Sequence, residues 1–224
     1  MSYGNRIIRD FVRPDRALVE AFRGIPAANI GDNMNRVAAI ADRIRPLNHV
    51  PMVGTAFTVR VPQGDNLMFH AALDLAKPGD VFVIDADNSR DRAIFGGIMA
   101  TYCQLRGIAG IVCDGAIRDA DELAALDMAV YATGATPNGP YKNGPGEINV
   151  PISIGGVVVR PGDILVGDSD GVVVIPVENA EEILAASKKT VEKEAATLRR
   201  MREENFYARP WVEEKLREIG CEIR

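Results

Sequence analysis

Apolar positions recur with two different periods along the chain. VGTAFTVRV (53–61) alternates and is β-branched, which predicts a strand. Asp15 is a good N-cap, and Leu18, Val19 and Phe22 follow at helical spacing before Gly24, so an opening helix is expected there. A second short helix is expected over Asn29 to Val37. DNLMFHAALDLA (65–76) begins with a capping residue and continues with a helical period. VFVID (81–85) and IAGIVCD (108–114) read as buried strands, with RAIFGGIMATYCQLRG (92–107) as a helix between them. Asp119 to Leu126 predicts another helix and MAVYATG (128–134) another strand. Such alternation is the mark of a sheet with crossover helices.

The second half changes character. PISIGGVVVRPGDILVGDSDGVVVIP (151–176) is a series of short apolar runs split by Gly-Gly, Pro-Gly-Asp and Ser-Asp-Gly, which predicts antiparallel hairpins. A long charged helix is expected from Asn179 to about Glu204, then a last helix after Pro210. The reading is an α/β fold, one domain over 1–204 with a helical extension over 205–224. Its central sheet is layered by a second β-element and by helices.

Composition narrows the function. The chain has 224 residues, 47% of them apolar, enough for a full core. A net charge of -5 without a basic stripe makes nucleic acid a poor partner. No run of about 18 apolar residues could span a bilayer, and the N-terminus has no signal-peptide pattern, so a cytoplasmic protein is expected. Cys103, Cys113 and Cys221 are odd in number and far apart, as suits reduced thiols. With only His49 and His70, any metal would be held by oxygen.

Two acidic patterns compete for attention. KPGDVFVIDADN (77–88) and RPGDILVGDSDG (160–171) echo each other, but their spacing is not that of a calcium loop. Turn formation into and out of a strand is the preferred reading. In GAIRDADE (115–122), Arg118 and Asp119 follow a strand end, where α/β sheets bind ligands. An arginine fork suits a carboxylate and an aspartate suits a hard cation. The alternative is that Asp119 caps a helix, Glu122 completes a capping box and Arg118 is solvated. Similarly, the glycines of IFGGIMA (94–100) fit either a loop whose N–H groups bind an anion or close helix–sheet packing.

Taken together, Gly97, Arg118, Asp119 and Glu122 form G-x20-R-D-x2-E. This resembles the signature of the class II pyruvate aldolases acting on 4-hydroxy-4-methyl-2-oxoglutarate and 4-carboxy-4-hydroxy-2-oxoadipate, a superfamily shared with RraA-like regulators of ribonuclease E. The similarity runs through DNLMFHAALDLAKPGDVFVIDAD, IVCDGAIRD and PGDILVGDSDGVVVIP, roughly residues 20 to 200. It implies the swivelling β/β/α fold and a trimer or hexamer with sites between subunits. It implies that the backbone of Gly96, Gly97, Ile98 and Met99 holds the pyruvate carboxylate and that Arg118 contacts the keto acid end. Asp119 would ligate Mg2+ or Mn2+, and Glu194 from the long helix of a neighbouring subunit would approach the metal's waters. Some members carry an acidic residue in the Gly-rich turn, whereas GGIM here has none.

The implied reaction is metal-dependent retro-aldol cleavage of a 4-hydroxy-2-oxo dicarboxylic acid, with oxaloacetate decarboxylation as a side activity through the same enolate. A non-catalytic RraA-like regulator is the rival. A methyltransferase is disfavoured because no Gly-rich loop follows an early strand. His70 is expected to pack or hydrogen-bond, Asp114 to orient Arg118 or form a turn, and the Gly/Pro-rich 138–146 stretch to be a mobile loop.

Overall fold

A computed structural model describes residues 3–222. Four of its strands form the centre of the main sheet: β3 (Met52–Arg60), β4 (Asp80–Asp85), β5 (Gly110–Cys113) and β7 (Ala129–Ala132), numbered in chain order with β1 (Asn5–Ile7), β2 (Arg45–Pro46) and β6 (Ala116–Ile117). After them come β8 (Gly134–Ala135), β9 (Gly146–Ile148), β10 (Ile152–Ile154), β11 (Val157–Val159), β12 (Ile164–Asp168) and β13 (Gly171–Ile175). The helices are α1 (Arg16–Glu20), α2 (Ala27–Asp32), α3 (Leu67–Ala72), α4 (Gly97–Leu105), α5 (Ala120–Ala124), α6 (Ala180–Glu204) and α7 (Pro210–Glu218).

Strands β3, β4, β5 and β7 pair in that order, all parallel. Their neighbours are antiparallel. β12 covers the first half of β3, with Ile164 opposite Thr55, and β9 covers its end, with Ile148 opposite Val59. On one edge this nine-residue strand thus serves two partners, because only its middle and end are free of β12.

Side chains alternate between two cores. Phe57, Val59, Phe82, Ile84, Ile111 and Val130 face α3 and α4 with Phe69, Met99 and Ala100. Ala56, Val81, Val83, Val112, Ala129 and Tyr131 face the hairpins through Ile152, Leu165 and Val174. The fold is therefore mixed α/β, with helices on one face of the sheet and β-hairpins on the other.

Several expected boundaries move for long-range reasons. The second helix spans 27–32 rather than 29–37, because Asn35 and Arg36 adopt positive φ (54° and 60°). The third is shorter than 65–76, since Asp65 turns its carboxylate to the Leu67 and Asn143 N–H groups. α4 starts at Gly97, not Arg92. Residues 93 and 94 instead donate to Asn138 O (2.9 Å) and Ala116 O (2.8 Å).

Contacts group the chain into two units, Met1–Ser187 and Lys188–Arg224, with the boundary inside α6. Among the described residues no helix is long and apolar enough to cross a membrane.

Candidate functional site

After β5 the chain bends at Gly115, where a Cβ would come within 2.8 Å of Ile94 Cγ1. β6 then pairs in parallel with β8, and the Arg118 N–H donates to Phe95 O (3.0 Å). Phe95 is itself anchored in the core by an edge-on contact with Phe69 at 5.7 Å. The 94–97 loop and the Arg118–Asp119 segment are thereby held side by side.

That neighbourhood explains the two glycines. The Gly97 N–H donates to Asp119 Oδ2 (2.9 Å). A Cβ on Gly96 would collide with the same oxygen and lie 2.8 Å from Arg118 Cγ, and a Cβ on Gly97 would collide with Glu122 Oε2. Close approach of carboxylates, not helix–sheet packing, requires glycine here.

Asp119 stands at the N-cap position of α5, yet its side chain makes no cap hydrogen bond. The capping-box reading is thus overturned: the carboxylate crosses to Gly97 and Glu122 packs toward the same glycine. Asp119 also sits in the left-handed region (φ 57°, ψ 44°), a conformation that costs a non-glycine residue on the order of 1 kcal/mol. Its pair with Arg118 (Nε to Oδ2, 3.6 Å) is 45% and 38% exposed, too solvated to stabilise the fold much. Strain and exposure together point away from a structural role.

Gly96, Ile98, Met99 and Arg118 line a cleft of about 230 Å³. Arg118 and Asp119 also border an open hollow beside Thr136 and Pro137. The cleft adds residues that local sequence reading missed, chiefly Asn66 and Lys142, and it draws in His70. Asn66 is 2% exposed; its Nδ2 donates to Ile94 O (2.8 Å), and its buried Oδ1 has no partner among the described residues. Burial, reinforced by the charge of Lys142, pushes the His70 imidazole below its usual range. His70 is thus a cleft residue rather than a packing one.

The 138–146 stretch is pinned rather than mobile. Arg92 donates to Gly139 O (2.9 Å) and to the Tyr141 hydroxyl (2.8 Å) while lying 4.0 Å over the Tyr141 ring. Asp65 accepts from Asn143 N (2.6 Å) and Gly144 N (3.1 Å). This clamp is what brings Lys142 to the cleft wall. Asp114 does not serve Arg118: its Oδ1 accepts from Ala86 N (2.8 Å), and burial raises its carboxyl above the usual range.

A family model described as RraA-like, Aldolase/RraA, matches residues 27–174. The chain belongs to the RraA-like family. It is 41% identical over 199 residues, 88% of the chain and 95% of the relative, to a Halalkalibacterium halodurans protein provisionally named 4-hydroxy-4-methyl-2-oxoglutarate aldolase. A solved Streptomyces coelicolor structure, described as an unusual member of the RNase ES inhibitor RraA family, superposes with a TM-score of 0.74 at 30% identity, covering 83% of this chain and 98% of that one. An uncharacterised Pseudomonas syringae protein gives 0.78 at 22% identity, covering 87% and 92%, which speaks for the fold alone.

In this RraA-like chain the carboxylates offer little for a metal needing many protein ligands. Among the described residues no group of three His, Cys, Asp or Glu could hold an ion. Asp119 offers one carboxylate with one oxygen committed to Gly97, which suits a cation that keeps most of its waters, as Mg2+ does. Glu194 is exposed on α6, in the second unit.

Proposed function

We propose that the protein is a divalent-metal-dependent lyase that cleaves a 4-hydroxy-2-oxo dicarboxylic acid to release pyruvate, and that it also decarboxylates oxaloacetate. The observation that carries this reading is a strained, half-exposed Asp119 tied to Gly97 and bordering one hollow with Arg118, while Arg118 also lines a neighbouring cleft that holds Lys142 and no carboxylate. Two cations in an acid-free cleft suit a substrate with two carboxylates.

In the cleavage, the C4 hydroxyl gives its proton to solvent and its oxygen becomes a carbonyl as the bond between C3 and C4 breaks; the electron pair passes to the pyruvate fragment as an enolate, which takes a proton from solvent at C3 to leave as pyruvate. With the Gly97 N–H committed to Asp119, the Ile98 and Met99 N–H groups in the first turn of α4 bind the pyruvate carboxylate. Arg118 orients the keto acid end through its fork and offsets the negative charge that develops there. Asp119 would hold Mg2+ or Mn2+, with Glu194 of the partner subunit facing its waters in a trimer or hexamer. When bound, such an ion supplies Lewis-acid stabilisation of the enolate. Loss of CO2 from oxaloacetate yields the same enolate, so one site serves both reactions.

The Streptomyces relative's description favours a second reading, a non-catalytic regulator of an RNase. A pyruvate-release assay over a panel of hydroxy oxo acids separates the two. Release that EDTA abolishes and Mg2+ restores is expected for the lyase; no release from any of them leaves the regulator.

A further inference from the structure

A larger cavity, about 430 Å³, adjoins the same β6–β8 ladder and takes no part in the proposed chemistry. Its rim carries Arg43, Arg45 and Arg90, and no Asp or Glu lines it. Arg45 leans on the exposed Asp42 through Nε to the backbone oxygen (3.0 Å) and Nη2 to the carboxylate (3.8 Å). The charge of Arg43 is felt by the buried Asp114, whose Oδ1 already accepts from Ala86. Arg90 makes no hydrogen bond or ion pair among the described residues. Three solvent-exposed guanidinium groups thus border one space that no carboxylate lines.

Two further features converge on the same space. Thr133 lines the cavity, and its buried hydroxyl has no partner among the described residues. Buried polar groups are ordinarily hydrogen-bonded, so this oxygen is short of a ligand. The floor, by contrast, is apolar: Leu47, Ile117 and Ala132.

We propose that this cavity binds a small organic dianion, a dicarboxylate with a short apolar body, at a site separate from the cleft. The guanidinium groups take the acidic ends, the Thr133 hydroxyl completes one of them, and the apolar floor takes the carbon chain. Occupancy would be felt at the motif, because Ile117 precedes Arg118 and accepts from Thr136 N (2.8 Å).

The test is isothermal titration with succinate, which has no keto group to react, on wild type, Arg118→Gln and the double variant Arg43→Gln/Arg90→Gln. Saturable binding to wild type and Arg118→Gln, weakened at least ten-fold in the double variant, is the expected result. Thr133→Val, nearly the same shape, should weaken it several-fold. Circular dichroism checks each fold, and Arg90→Gln alone stands in if the double variant does not fold. No saturable binding to wild type, unchanged binding in the folded arginine variants, or loss in Arg118→Gln alone would each overturn the proposal. Inorganic phosphate binding as tightly as succinate would overturn the assignment to an organic ligand.

Discussion

Asp80 and Asp163 differ from Asp119 in how each uses its carboxylate. Asp80 and Asp163 each follow a Pro-Gly turn, whereas Asp119 follows β6 and Arg118. Asp80 and Asp163 are 1% and 2% exposed, and each accepts from an amide three residues back, Lys77 N (2.8 Å) and Arg160 N (2.7 Å). Gly79 and Gly162 supply the positive φ (87° and 97°) that these turns need. Asp80 is further clamped by a two-point pair with Arg13 at 2.9 and 2.7 Å. Asp119 takes the strained conformation itself, leaves its own turn unsatisfied and reaches another loop. Asp80 and Asp163 close their own turns, whereas Asp119 is held from another loop with an oxygen to spare.

The contrast can be broken from either side. Asp80→Ala removes the partner of a mostly buried Arg13 and should cost about 3 kcal/mol, roughly 6–12 °C in melting temperature, with unchanged specific activity in the folded fraction. Lost activity at intact stability would put Asp80 in the site. Gly96→Ala should lower kcat/KM by about 100-fold, because the new methyl displaces both Asp119 and Arg118. A rate within a factor of three of wild type would mean the close approach is dispensable.

Two smaller effects follow from protonation. Burial is the main cause that raises the Asp163 carboxyl. The folded state therefore binds its proton more tightly than the unfolded chain, and this contribution to stability is lost as pH rises from about 4 through the folded pKa. Asp163→Asn, still able to accept from Arg160 N, should abolish that decline in melting curves across pH 4 to 7. His70 has the opposite sign among bases. Its lowered pKa means stability falls as pH drops below about 6.5, and His70→Gln should flatten that slope slightly. Parallel pH–stability curves for variant and wild type would contradict either assignment.

What was legible in the chain follows from range. Strands β3, β4, β5 and β7 are buried on both faces, so their apolar runs show them directly, and Gly155–Gly156 marks the tight turn between β10 and β11. The echo of KPGD and RPGD reads correctly as turns, because each aspartate acts within three residues. Asp119–Glu122 has every local feature of a capping box, but Gly97 N, 22 residues away, competes for the carboxylate. The Gly/Pro content of 138–146 suggests mobility, while Arg92 and Asp65, distant in sequence, pin it. Asn66 and Lys142 carry no spacing signal at all, since only the clamped loop and the start of α3 bring them together. β1, β2 and β9 are too short to show a period.

Asp119→Asn tests the central claim most directly, with oxaloacetate decarboxylation in Mg2+ and thermal melting measured on the same preparation. Asparagine tolerates the left-handed backbone and keeps an oxygen for the Gly97 N–H, so the fold should not suffer. The expected result is a rate lowered by about 100-fold or more with a melting temperature within about 2 °C of wild type. A near-normal rate with a clearly lowered melting temperature would make Asp119 a structural residue like Asp80, and the lyase assignment would lose its support.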